Sequence, residues 1–242
     1  MKRTPSDYII FPLDVPTVTE AEKYIDLLAG RVGMFKVGLE LFIEAGPSIV
    51  RRIAAAGGQV FLDLKLHDIP ATVGRAMARI ADLGVSLATV HCGESVRMLE
   101  AAVAGAGGAV GVLGVTVLTS VSADDLRNAG FQDEMADAET LVLHRAGMAR
   151  QAGCAGVVCS PLETKGIKAR FGKDFLAVTP GVRLSRQSVA GDDQRRTATP
   201  GQAVADGADY LVIGRPIRDD ADPAKAAEKI AREIASALGN AQ

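Results

Sequence analysis

The feature that most constrains the fold of this chain is an alternation. Eight short apolar runs, rich in β-branched residues, are separated by longer stretches of helical period. The runs at 8–13, 34–39, 59–66, 87–92, 110–118, 156–160, 175–179 and 210–213 read as strands. The stretches at 18–29, 40–56, 71–83, 95–104, 139–152, 161–171, 202–206 and 223–238 read as helices. Thr199-Pro-Gly-Gln202 has the pattern of a capping box with proline at the first helical position, and Asp222-Pro223 repeats the cap-then-proline order. Strands that alternate with helices form parallel βαβ units. Eight units in 242 residues match a closed barrel better than an open doubly wound sheet. No Gly-x-Gly-x-x-Gly follows the first strand, and the glycine-rich stretch 104–114 lacks a following Lys-Ser/Thr, so it reads as a turn entering strand five. No linker or low-complexity segment divides the chain. The expectation is α/β, a single (β/α)8 TIM barrel domain over residues 1–242.

Composition narrows the partners. The formal net charge of -2 provides no long-range field for nucleic acid or an anionic membrane, so any phosphate must be bound by local groups. Cys92, Cys154 and Cys159 cannot form a complete disulfide set and show no metal-ligand spacing with the three histidines, which suits a reducing compartment. The apolar run at 8–11 is too short for a signal peptide, and the longest apolar stretch, 104–118, falls short of a membrane span. A soluble, cytoplasmic protein is expected. His67 and His91 read as buried, hydrogen-bonded histidines and His144 as a surface residue of a helix.

Barrel chemistry sits at the C-terminal ends of the strands. There the chain places Asp14, Lys36, Asp63-Leu-Lys65-Leu-His67-Asp68, Thr119-Ser120 and Gly214-Arg215-Pro216. Asp63 and Lys65 are two apart, so they share one face of strand three, while Leu62, Leu64 and Leu66 turn to the helices. A structural ion pair would also place charges in a barrel mouth, and Asp68 alone would serve as a helix cap. Five alternating charges at three successive strand ends are harder to explain that way.

The segment Phe-Leu-Asp63-Leu-Lys65-Leu-His67-Asp68-Ile69-Pro70 resembles the signature of the orotidine 5'-phosphate decarboxylase family. The resemblance extends through Asp14, Phe-Lys36-Val-Gly, Val-Thr-Val-Leu-Thr119-Ser120, Val-Thr-Pro180-Gly-Val-Arg183, Gly-Asp-Asp-Gln194 and Ile-Gly214-Arg215-Pro. It implies a homodimer that decarboxylates orotidine 5'-monophosphate to UMP in pyrimidine biosynthesis without metal or cofactor. Lys36, Asp63, Lys65 and Asp68 match the family's charged tetrad, with Lys65 the expected proton donor to C6. Asp14, Lys36, Asp68, Ile69 and Thr72 would meet the ribose, the last three from the neighbouring subunit. Thr119 and Ser120 would face the pyrimidine, and Arg183, Gln194, Gly214 and Arg215 would bind the phosphate, with Pro180 beside them and the stretch 183–196 as a lid.

The chemistry suits these residues. Loss of CO2 from C6 leaves a carbanion with no adjacent electron sink, and a fixed ammonium stabilises that charge before protonating it. Two rivals share the pattern. A Mg2+-dependent sugar-phosphate decarboxylase or aldolase of the same barrel superfamily would need a further carboxylate where Lys36 stands. A non-catalytic nucleotide-phosphate-binding barrel would keep the site and lack the turnover.

Overall fold

A computed structural model describes residues 3–93, 95–183 and 197–239. Along each strand, successive side chains fall into two separate apolar clusters. Ile9, Phe11, Phe35, Leu62, Ala88, Val112, Val157, Ala177 and Leu211 join helix residues in an outer cluster. Ile10, Met34, Phe61, Leu87, Leu113 and Val178 form an inner one. Two apolar faces are what a parallel sheet needs when helices cover one side and its own curvature encloses the other. The strands β1 (Ile9–Pro12), β2 (Met34–Gly38), β3 (Gln59–Leu66), β4 (Leu87–His91), β5 (Gly111–Val115), β6 (Gly156–Val158), β7 (Leu176–Thr179) and β8 (Tyr210–Val212) pair in chain order. All pairs are parallel, and β8 closes on β1. The expected (β/α)8 barrel is present.

The helices are α1 (Val18–Leu28), α2 (Leu39–Ala45), α3 (Pro47–Ala55), α4 (Pro70–Ala81), α5 (Val96–Ala106), α6 (Ala123–Asn128), α7 (Ala138–Gln151), α8 (Thr164–Phe171), α9 (Pro200–Ala205), α10 (Arg215–Arg218) and α11 (Pro223–Gly239). Several differ from the sequence reading. The single helix expected at 40–56 is two, because Gly46 adopts φ 57° and Pro47 lacks the amide that would continue the first. Helices α6 and α10 lie outside the eight stretches read as helices. The glycine-rich stretch is partly helix: α5 continues to Ala106, and a Cβ at its Gly105 would stand 2.2 Å from the Gly74 carbonyl oxygen of α4, so glycine there permits close helix packing. The Thr199 hydroxyl accepts the Gln202 amide at 3.3 Å, but the Gln202 side chain donates to Asp206, leaving the capping box half formed. Asp222 caps α11 by accepting the Lys225 amide at 3.1 Å.

The three cysteines are buried free thiols. Burial pushes Cys92 and Cys154 up to about 12, so neither is a nucleophile near neutral pH. Among the described residues no helix is long and apolar enough to cross a membrane.

Candidate active site

The inner face of the barrel changes character one step above its apolar layer. On β2 the inward position after Met34 is Lys36, and on β3 the inward position after Phe61 is Asp63. Their side chains are only 11% and 12% exposed, a placement that costs several kcal/mol per ion unless the charges are paired. They are paired. Lys36 Nζ donates to Asp14 Oδ1 at 2.9 Å and stands 3.8 Å from Asp63 Oδ2, while Lys65 Nζ donates to that same Asp63 oxygen at 2.8 Å. Asp14, Lys36, Asp63 and Lys65 thus form a row of alternating sign. Gly38, the next inward position of β2, leaves room for it: a Cβ there would lie 3.2 Å from Lys36 Nζ.

Lys65 reaches this place through an irregularity. Between Leu62↔Ala88 and Leu66↔Val90, four steps of β3 span two of β4. Within this bulge Lys65 has φ 51°, the only positive φ among the described non-glycine residues. Its amide, displaced from the strand ladder, donates to Thr89 Oγ1 at 2.9 Å, and the same hydroxyl donates to Asp63 Oδ1 at 3.0 Å. Despite the bulge, Leu64 and Leu66 still pack on the outer cluster as expected.

These charges open into a cavity of about 580 Å³, within the range of small-molecule sites. Phe61, Val115, Val158 and Val212 form its apolar floor; Thr119, Ser120, Pro180, Arg183, Gly214 and Arg215 line it as well. The arginines follow β7 and β8, whereas the charge row stands at β1 to β3, so two differently charged sectors share one mouth. Ten of the expected site residues therefore meet: Asp14, Lys36, Asp63, Lys65, Thr119, Ser120, Pro180, Arg183, Gly214 and Arg215. Asp68, Ile69 and Thr72 do not line the cavity. Asp68 is exposed and its Oδ1 accepts the Ile69 amide at 2.6 Å, while Ile69 itself is 66% exposed. Gln194, with 184–196, lies outside the described residues.

Two residues of the site escaped the sequence reading. Arg218 also lines the cavity, donating to the Asp14 carbonyl at 3.1 Å; its signal was proximity to Arg215 in one short segment. Thr89 is fully buried, and its signal was parity, since it stands two residues beyond the inward Leu87. The histidines divide. His67 is exposed, not buried as expected, because β3 ends at Leu66 and releases it to the surface. His91 is half-buried 5.7 Å from the His67 ring, and His144 is exposed on α7. Burial, then the neighbouring His67, Lys65 and Arg145, lowers the pKa of His91 despite an opposing pull from Asp63.

A cavity with guanidinium groups on one side, an apolar floor and an ammonium fixed beside a carboxylate suits an anionic ligand carrying a flat, partly apolar ring. Among the described residues no group of three or more His, Cys, Asp or Glu side chains converges to hold a metal ion.

Comparison with known proteins gives concordant matches. A sequence model described as the Orotidine 5'-phosphate decarboxylase / HUMPS family matches residues 7–230. The orotidine 5'-phosphate decarboxylase of Desulfosudis oleivorans is 57% identical over 239 residues, covering 98% of this chain and 96% of that protein. The orotidine 5'-phosphate decarboxylase of Pelobacter propionicus is 48% identical over 231 residues, covering 93% and 94%. The crystal structure of orotidine 5'-phosphate decarboxylase from Lactobacillus acidophilus superposes with a TM-score of 0.82 at 37% identity, covering 93% of this chain and 98% of that one.

Proposed function

The chain belongs to the orotidine 5'-phosphate decarboxylase / HUMPS family, and from that premise we propose that it converts orotidine 5'-monophosphate to UMP and CO2 in pyrimidine biosynthesis, using side chains alone. The observation that carries the proposal is the Lys65 ammonium held 2.8 Å from Asp63 in the charged row.

The chemistry runs through these groups. As the C6–carboxylate bond breaks, its electron pair stays on C6 and CO2 departs. Lys65 Nζ, fixed beside that carbon, stabilises the negative charge more once it has moved from the carboxylate onto C6 than in the ground state, and then delivers a proton to C6. Asp63 orients the ammonium and stands beside the departing carboxylate. Lys36, between Asp14 and Asp63, completes the row and meets the ribose with Asp14. Thr119 and Ser120 face the pyrimidine. Arg183, Gly214 and Arg215 bind the phosphate, beside Pro180; Gln194, the other residue assigned to it, lies outside the described residues. Phosphate binding far from C6 then helps to close the site and order its charges.

The functional unit is a homodimer in the cytoplasm. Asp68, Ile69 and Thr72 complete the partner's site, a role suited to residues that turn away from their own cavity. Exposed apolar side chains support this: Leu39 and Ile43 on α2 are 52% and 81% exposed, and Ile69, just before α4, is 66% exposed. A second copy covers them.

The Mg2+-dependent reading is disfavoured by Lys36. A lysine in a row with Asp63 and Lys65 offers a divalent cation repulsion where it needs oxygen ligands. The test is CO2 release from orotidine 5'-monophosphate by the purified protein, before and after EDTA. Unchanged turnover is expected. Turnover abolished by EDTA and restored by Mg2+ would favour the metal-dependent rival, and no turnover under any condition would favour a binding protein.

A further inference from the structure

We infer that the Thr89 hydroxyl is a positioning residue for this decarboxylation, an inference that rests on the function proposed above. The starting point is an anomaly of composition. Thr89 occupies an inward position of β4, flanked by Leu87 below it and Leu113 across from it on β5, where packing alone is satisfied by valine. It is nonetheless a threonine, fully buried, and both its hydrogen-bonding capacities are used on the charged row.

Each bond has a separate consequence. As donor, the hydroxyl engages Asp63 Oδ1 and leaves Oδ2 to the two lysines, at 2.8 Å from Lys65 and 3.8 Å from Lys36. Rotation of the carboxylate about its terminal torsion, which is otherwise soft, is thereby stopped. As acceptor, it takes the Lys65 amide that the bulge withdraws from the β3–β4 ladder. That contact helps to hold Lys65 at φ 51°, the backbone state from which its side chain meets Asp63. One neutral hydroxyl thus fixes the proton donor's backbone and its carboxylate partner together. A hydroxyl does this without adding a charge to a row whose signs already alternate.

The role predicts a split between turnover and binding, because the hydroxyl supports the row from behind and does not itself line the cavity. Wild type, Thr89→Val and Thr89→Ser are assayed for orotidylate turnover, UMP affinity and melting temperature. Thr89→Val should lower kcat about 10- to 100-fold, the scale of a reacting group displaced by about an ångström, with UMP affinity within about threefold of wild type. Thr89→Ser, which keeps the hydroxyl, should recover most of that loss. In an Asp63→Ala background, Thr89→Val should cost less than it does alone, since one of its two partners is gone and only the Lys65 amide remains. Wild-type kcat in Thr89→Val overturns the inference, as does a folded Thr89→Ser no more active than Thr89→Val. If Thr89→Val does not fold, Thr89→Cys, of similar size with a weak donor, is read by the same criteria. An inactive wild type would instead defeat the functional proposal itself, and this inference with it.

Discussion

Lys65 is held in a left-handed backbone state that costs a non-glycine residue about 1–2 kcal/mol, and it is there that the strand offers up its ammonium. The strain is balanced locally by its bond to Asp63 and by the Thr89 contact. A neighbouring residue gives a readable pH signature. Burial first, and then the cationic surroundings, depress the pKa of His91 below 6.5 in the folded protein. The unfolded chain takes up this proton first on acidification, so the stability linked to His91 is complete above its ordinary value and is lost as pH falls through the lowered one. Melting temperatures of wild type and His91→Asn between about pH 8 and 5 check this: the wild type should lose more on the acid side. Parallel curves for the two proteins would remove His91 from the account.

At the scale of elements, the barrel was legible because its signal is redundant. Eight apolar runs alternate with helical stretches, and the period of two put Asp63 and Lys65 on one face of β3, away from the leucines that turn to the helices. The bulge in β3 was not legible. Four β3 residues spanning two of β4 is a property of the pairing, and neither strand carries it alone. Thr89 went unseen for the same reason, since its importance depends on what the bulge brings opposite it. Short helices behave alike: α6 and α10, at 6 and 4 residues, are below the length at which periodicity registers, and only α6 has a side-chain cap, from Ser122. The break at Gly46-Pro47 was written in the sequence, yet the apolar period runs through it on either side, with Leu41 before and Ile49, Val50 and Ile53 after.

At the scale of the molecule, ten expected site residues spread from position 14 to 215 converge on one cavity because barrel closure brings all strand ends to one rim. Asp68, Ile69 and Thr72 stay outside it, and the proposal assigns them to the partner's site. Mixing Lys65→Ala with Asp68→Ala tests this. Each is expected to be inactive alone, while a hybrid dimer contains one intact site, so random subunit exchange should restore up to about a quarter of wild-type turnover. Demonstrated exchange with no recovery would exclude the shared site. The central claim, that catalysis lies in a fixed ammonium beside a carboxylate, is tested most directly by Lys65→Ala, with UMP affinity and orotidylate turnover measured on the same preparation. UMP should bind within about tenfold of wild type while kcat falls by a factor of about 10²–10³ or more, the loss of a charge used in the transition state. A folded Lys65→Ala protein that keeps about a tenth of wild-type turnover or more would contradict the account.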